Sequence, residues 1–184
     1  MRSKGQAAVL ILIVFATLMA GCTIDTLGLG EAILKVLTPK AGSWAGTTSQ
    51  NKSVTYTVGE GGTQIEPGMR VGFFCQESWG TVSGYYVCNI SIPIEGNKFD
   101  YDGSSINVGG TFGSTSTCTG TFSLAGNTGY PYYLTFSASG TWNTTWQSAA
   151  AKNSIENIQA EGDGIYLEQK HGDSVIKMVV HLNK

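Results

Sequence analysis

The stretch KSVTYTV (residues 52–58) decides the fold class. Val54, Tyr56 and Val58 alternate with small polar residues, so the hydrophobic pattern has a period of two. Successive side chains of a β-strand point to opposite faces, and this alternation is typical of a strand with one buried face. The stretch therefore predicts a strand of an antiparallel sheet, in which one face packs on the core and the other meets water.

The same period continues along the chain from residue 42 to residue 182. The positions that share the apolar face of their segments are Val71, Phe73 and Cys75, then Tyr86, Cys88, Ile90, Ile92 and Ile94, then Cys118, Phe122 and Leu124, then Tyr132, Leu134, Phe136 and Ala138, then Trp142, Thr144 and Trp146. Short strands separated by Gly, Asn and Asp turns predict an all-β fold, an antiparallel up-and-down barrel or β-sandwich of about ten strands. The residues that we expect to be buried are Trp44, Phe73, Ile90, Phe122 and Phe136.

The first 21 residues have the features of a secretory signal peptide. Arg2 and Lys4 precede an apolar run from Ala7 to Ala20. The run has about 14 residues, or roughly 21 Å as a helix, which is less than the ~30 Å hydrocarbon core of a membrane. A basic start, a short apolar stretch and small residues at its end predict a cleaved signal at residues 1–21.

The end of this segment, Leu18-Met19-Ala20-Gly21-Cys22, resembles the bacterial lipobox, with methionine where leucine is commoner. The resemblance implies that the Cys22 thiol carries diacylglycerol and that the chain is cut just before it. The protein would then be held at a membrane of the cell envelope, facing outside the cytoplasm. A plain signal peptide that leaves Cys22 unmodified is the simpler alternative.

A tether, residues 22–41, separates the signal from the β-domain, residues 42–184. Between Thr26 and Leu37 the apolar residues have helical spacing, which predicts a short helix. Pro39 ends it, because proline cannot continue a helix.

The triplet Lys4-Gly5-Gln6 before the apolar run supports a rival interpretation, since it resembles the cleavage point of type IV pilins and archaeal filament proteins. That resemblance implies a filament subunit with an uncut N-terminal helix and a β head. The glutamate usual near the new start is missing. A continuous helix would also include Gly21, Gly28 and Asp25; each glycine costs roughly 1 kcal/mol, and a buried aspartate roughly 2.5–3.5 kcal/mol in lipid. Cleavage before Cys22 is therefore favoured.

A second resemblance concerns the β-domain. The stretch GSWAGTTSQNKSVTYTVGEGGTQI (residues 42–65) resembles the opening of small exported bacterial domains that read Gly-x-Trp-x-Gly, most of them uncharacterised surface proteins. The resemblance implies a β-domain and no particular activity. Gly42-Ser43-Trp44 is also similar to the first strand of lipocalins and biotin-binding barrels, which favours a barrel slightly over a sandwich.

Net charge and cysteine spacing argue against some partners and cofactors and suggest a disulfide. Removal of Arg2 and Lys4 leaves nine cations against 13 acids, a net charge of −4, which argues against nucleic acid as a partner. With Cys22 taken by lipid, a two-residue turn at Thr81-Val82 would place Cys75 opposite Cys88, where a disulfide can form. Another pair with Cys118, or no disulfide, also fits. No Cys-x-x-Cys or His-x-x-x-His spacing is present, so we expect neither metal nor cofactor.

The remaining candidate residues favour binding over catalysis. Neither histidine lies near a nucleophile motif, and the carboxylates of DYDG (100–103) and EGDG (161–164) read as turns. The aromatic residues are the better candidates, because exposed rings stack on sugars or partner surfaces. We expect an exposed Trp79 at a hairpin tip, outward Tyr85 and Tyr133, and Tyr130 in a turn, with Trp79 and Tyr85 sharing one patch.

These rings could instead cover the edges of the core. The sequence thus predicts a surface-anchored lipoprotein that acts as a non-catalytic binding or structural module for a protein or glycan ligand. The pilin-like subunit is the second hypothesis, and a secreted hydrolase is the third.

Overall fold

The computed structural model describes residues 37–148 and 164–183. They form one antiparallel sheet that curls into a half-barrel. Its strands are β1 Gly42–Thr48, β2 Ser53–Val58, β3 Gln64–Ile65, β4 Met69–Glu77, β5 Gly80–Cys88, β6 Ile92–Pro93, β7 Lys98–Asp102, β8 Ile106–Ser114, β9 Thr117–Asn127, β10 Thr135–Ser148, β11 Ile165–His171 and β12 Ser174–Leu182, with one 3-10 turn at Glu60–Gly62. The predicted all-β antiparallel fold is confirmed. The predicted helix from Thr26, the signal segment and Cys22 lie outside the described residues.

The strand order across the sheet is β11-β12-β5-β4-β2-β1-β10-β9-β8-β7, and the short strands β3 and β6 pair beside β2. Two meanders make up this order, β1-β2-β4-β5 and β7-β8-β9-β10. They join where β10 pairs with β1, and the last hairpin adds to β5 through β12. The chain therefore leaves neighbour-to-neighbour order twice, after β5 and after β10.

The two edge strands, β7 and β11, belong to parts of the sheet that side chains bring together. The Tyr101 hydroxyl on β7 lies 3.3 Å from the Ser174 hydroxyl on β12. Ser105 Oγ, in the β7–β8 turn, lies 3.1 Å from His171 Nδ1 at the end of β11. These contacts show how far the sheet curls, because they join its opposite ends around a single core.

Aromatic rings fill the inside of the curled sheet. Trp44 stacks on Tyr56 at 5.9 Å between ring centroids and meets Phe112 edge-on at 5.2 Å. Of the side chains expected in the core, those that are buried are Trp44, Phe73, Phe122 and Phe136. Ile90 is only half-buried, because β5 ends at Cys88 and Ile90 belongs to the connection that follows.

The predicted Cys75–Cys88 disulfide is wrong. The turn between β4 and β5 lies at Ser78 and Trp79, so that Cys75 pairs with Val82, and Cys88 pairs with Met69 at the far end of β4. Cys75 and Met69 are six residues apart, about 20 Å, whereas a disulfide needs Cα atoms within about 7 Å. Cys75, Cys88 and Cys118 are buried thiols without a disulfide.

Candidate functional site

The two most exposed aromatic side chains of the described residues, Tyr130 and Tyr133, lie in one connection, residues 128–134 between β9 and β10, which we call the tyrosine loop. Tyr130 is 81% exposed, Tyr133 64% and Tyr132 42%. The Tyr130 and Tyr133 rings meet edge-to-face, with centroids 6.3 Å apart and planes at 78°. Two of the predicted binding residues therefore form one exposed aromatic surface, and Tyr132 adds a third exposed ring to the same loop.

Hydrogen bonds within the tyrosine loop fix its backbone. The N–H of Thr128 donates to the carbonyl of Leu134 at 2.8 Å, and the N–H of Leu134 donates to Thr128 Oγ1 at 3.1 Å. The N–H groups of Tyr132 and Tyr133 both donate to the Gly129 carbonyl, at 3.0 and 2.7 Å. A loop closed in this way restricts the conformations of its backbone, and such preorganisation lowers the ordering entropy that a contact surface loses on binding.

The backbone of Tyr133 is left-handed, whereas the sequence pattern predicts an extended strand at this position. Its φ is 51°, in the left-handed region, where a residue other than glycine loses roughly 1–2 kcal/mol. The strand expected to include Tyr132 begins only at Thr135, so Tyr132 does not point inward as predicted. Left-handed residues of this kind cluster at functional sites, where the surrounding structure holds them.

Trp79 packs beside the tyrosine loop and is hydrogen-bonded to the residue that follows it. It lies at the predicted hairpin tip, between β4 and β5, but it is half-buried and packs against the core. Its indole N–H donates to the carbonyl of Thr135, the first residue of β10, at 3.2 Å. Beside it, the N–H of Ser137 donates to Glu77 Oε1 at 3.1 Å. Trp79 is thus joined to the foot of the tyrosine loop.

Tyr85 lies elsewhere, and the predicted patch shared with Trp79 is wrong. Tyr85 is on the outer face of β5 as predicted, half-buried, with the Arg70 guanidinium 5.0 Å from its ring centroid. Gly80, at the Trp79 end of β5, is five residues away, about 16 Å. The structure therefore divides the four predicted aromatic residues into Trp79 with the tyrosine loop, and Tyr85 alone.

The outer face around Tyr85 holds two exposed rings that sequence analysis did not select. Tyr166 on β11 is 43% exposed and Phe74 on β4 is 38% exposed. A salt bridge between Lys177 and Glu168, 3.3 Å long, lies between the strands of the last hairpin. The alternation in IYLEQK could have placed Tyr166 outward, since it shares a face with Glu168 and Lys170.

The chain enters this domain at the other end of β10. The Trp44 indole N–H donates to the Lys40 carbonyl at 2.9 Å, and the Trp146 indole N–H donates to the Ala41 carbonyl at 2.9 Å. The Lys40 ammonium lies 4.5 Å from the Trp146 ring centroid. Trp146 and Thr135 are eleven residues apart on β10, about 37 Å of strand. The tyrosine loop and the entry segment, residues 37–41, therefore occupy opposite ends of the sheet.

Titratable groups do not converge around the tyrosine loop. Within residues 37–148 and 164–183, no three His, Cys, Asp or Glu side chains group as metal ligands do. The expected turn carboxylates Asp100 and Asp102 lie on β7, and EGDG is described only at Gly164. Burial raises the pKa of the Cys75 thiol to about 11 and that of Cys118 to about 11, so both stay protonated near neutral pH.

Comparisons with protein-family models, curated proteins and solved structures find no match to this chain. In the part of the chain that the structure describes, no helix has the length and apolarity to cross a membrane.

Proposed function

We propose that this protein is a lipid-anchored, non-catalytic binding module of the cell envelope, and that the tyrosine loop is the element that contacts its protein or glycan ligand. The lipid is carried by Cys22, and residues 22–36 join it to the entry segment. Tyr130, Tyr132 and Tyr133 provide the contact, and Trp79 supports them.

One observation carries this proposal: the most exposed tyrosines stand at the end of the sheet opposite to the chain's entry. The proposed anchor precedes Leu37 in the chain, so a partner can contact the opposite end of the sheet without contacting the entry segment. Tyrosine suits such a role, because it offers a large amphipathic surface with few rotatable bonds. Binding energy usually concentrates in a few such rings.

Site-specific photocrosslinking tests the ligand contact. A benzophenone amino acid replaces Tyr130 in the full chain expressed in its own host, and Tyr166 is replaced in the same way as the control. Both sites are exposed and aromatic, but Tyr166 lies on the outer face of β11. We expect a ligand adduct from position 130 and little from position 166. Equal adducts from both positions, or none from position 130, would contradict the proposal.

The anchor needs a separate test. Cys22→Ser removes the thiol that would receive the lipid. We expect the variant to leave the membrane fraction or to accumulate with its signal segment uncut. Unchanged mass together with unchanged membrane retention would contradict lipidation. The crosslinking experiment at Tyr130 tests the ligand contact independently of this result.

A further inference from the structure

The outer face of β7 to β10 contains a trough of about 740 Å³, lined by rows of polar side chains and by apolar surface between them, which we call the outer trough. The outward side chains along it are Ser49, Lys98, Asp100, Thr111, Thr119, Thr121, Thr141 and Asn143. Its volume lies within the range of ligand sites in proteins, roughly 300–1,000 Å³. None of these residues belongs to the tyrosine loop.

Strand pairing arranges these side chains in two parallel rows. In one row Lys98 pairs with Thr111, Thr111 with Thr119, Thr119 with Asn143, and Asn143 with Thr47. In the other row the successive partners are Asp100, Gly109, Thr121 and Thr141. Neighbouring strands are about 4.8 Å apart, and residues two apart on a strand are about 6.7 Å apart. Within the trough, the row from Lys98 to Asn143 thus presents polar groups at a regular spacing over about 14 Å, and Thr47 continues the row beyond the trough.

Most polar side chains of the outer trough are not used by the protein itself; the exception is Ser49, whose hydroxyl accepts the Thr141 N–H at 3.2 Å. Among the described residues, no side-chain hydrogen bond is made by the hydroxyls of Thr111, Thr119, Thr121 or Thr141, or by the Asn143 amide. The one salt bridge of that part of the chain, Lys177–Glu168, lies elsewhere, so the charges of Lys98 and Asp100 are also available. Each hydroxyl can both donate and accept a hydrogen bond.

Gly109 keeps the floor of the trough open. A Cβ atom at this position would lie 2.9 Å from Asp100 Oδ1. The Asp100 carboxylate therefore reaches over β8, along its own row, into the space that the missing side chain of Gly109 leaves. A larger residue at position 109 would displace this carboxylate and fill the gap in the second row.

We propose that the outer trough binds an extended, uncharged oligosaccharide. Such a ligand presents hydroxyls on both edges, which match the two rows of hydroxyl, amide, carboxylate and ammonium groups. Lys98 and Asp100 cancel in charge, so a polyanion or a polycation would leave one of them opposed. An apolar ligand would remove the threonine hydroxyls from water without replacing their hydrogen bonds, which costs roughly 1–3 kcal/mol for each.

This site goes beyond the ligand contact assigned to the tyrosine loop, and the two are separable by mutation. Thr119→Val/Thr121→Val removes one hydroxyl from each row and keeps the shape of the side chains. The matched control is Thr55→Val/Thr57→Val, on the outer face of β2 and outside the trough. Gly109→Val fills the trough, and Tyr130→Ala/Tyr133→Ala removes the two rings of the loop.

Calorimetric titration of the full-length protein with neutral hexasaccharides tests the proposal. The probes are β-1,4-linked glucose, N-acetylglucosamine, mannose and xylose hexamers, with hexagalacturonate as the anionic comparator. We expect at least one neutral hexamer to bind, at least tenfold more weakly to Thr119→Val/Thr121→Val and to Gly109→Val, and unchanged to the Thr55→Val/Thr57→Val control.

Binding of none of the neutral hexamers, or of hexagalacturonate alone, would overturn the proposal. So would binding that is lost in Tyr130→Ala/Tyr133→Ala and retained in Thr119→Val/Thr121→Val; that result would assign the sugar to the tyrosine loop and leave the proposed function intact. Melting temperatures of all variants show whether a loss reflects the site or the fold.

Discussion

The indole N–H of Trp79 donates a 3.2 Å hydrogen bond to the carbonyl of Thr135, and this bond joins the tip of the β4–β5 hairpin to the foot of the tyrosine loop. The two residues are 56 positions apart in the chain. Trp79, which we expected to be exposed, is instead half-buried and contacts the strand that follows the tyrosine loop. The exposed rings are those of the loop itself, whose backbone is closed by its own hydrogen bonds.

Trp79→Phe should loosen the tyrosine loop with little effect on the core. Phenylalanine keeps an aromatic ring in the half-buried site but removes the N–H donor and part of the indole volume, so we expect a stability loss of about 1–2 kcal/mol. Hydrogen exchange should show weaker protection of the Tyr132 and Tyr133 amides, whereas the Val54 amide on β2 serves as the control. Equal protection in both proteins would mean that Trp79 does not support the loop.

Two substitutions of Tyr133 should separate the effect of its backbone strain on stability from the effect of its ring on ligand contact. Glycine adopts a positive φ without penalty, whereas alanine does not, so Tyr133→Gly should be more stable than Tyr133→Ala by about 1 kcal/mol in chemical denaturation. Both variants lose the ring, and both should lose ligand contact to the same degree. An alanine variant at least as stable as the glycine variant would argue against the left-handed conformation of Tyr133.

The Tyr56 hydroxyl and Thr144 Oγ1 form a buried hydrogen bond 2.7 Å long. The effects of substituting these two residues on stability should therefore be coupled. Tyr56→Phe leaves the Thr144 hydroxyl buried without that partner, which costs about 1–3 kcal/mol. Adding Thr144→Val removes the stranded hydroxyl and should recover part of the loss. A double-mutant cycle in urea measures this coupling; additive effects of the two substitutions would show that the bond does not form.

The thiols should make the protein less stable at alkaline pH. Burial raises the pKa of Cys75 and of Cys118 from 9.0 to about 11. In the unfolded chain these groups lose their protons first, so the unfolded state binds fewer protons between pH 9 and 11 and is increasingly favoured there. The free energy of unfolding should fall across this window.

Cys75→Ala/Cys118→Ala is the matched variant for this prediction. Its fall in stability should be shallower but not absent, because burial also raises the pKa of Tyr56. Thiol reagents at pH 7 should label Cys75 and Cys118 only after unfolding. Rapid labelling of the native protein, or an equally steep fall for the variant, would contradict the buried, protonated thiols.

Alternation alone was enough to predict the strands and most of the core, because which face a residue occupies depends only on its position within its own strand. It could not locate the β4–β5 turn. The predicted turn gave Cys75 the partner Cys88, and the actual turn gives it Val82. These partners are six residues apart, and an even shift leaves every side chain on the same face, so the hydrophobic pattern fits both registers equally well.

Strand order and loop shape were beyond the sequence for a related reason. The pairings of β10 with β1 and of β12 with β5 join distant segments, and no local pattern encodes them. The alternation in YYLTFSA continues through Tyr132, although Thr128 Oγ1 accepts the Leu134 N–H and keeps these residues in a loop. The tyrosines were therefore identified as candidates by type, and their grouping came only from the fold.

Attachment through Cys22 is the central claim of the proposed function, since it would place the protein at the cell envelope. The most direct test is the intact mass of the protein extracted from the envelope of its own host. The account predicts a chain that begins at Cys22 and carries the added mass of a diacylglycerol group, with or without a further acyl chain. A chain that begins at Gln6 and carries no lipid would contradict it and would support the pilin-like filament subunit instead.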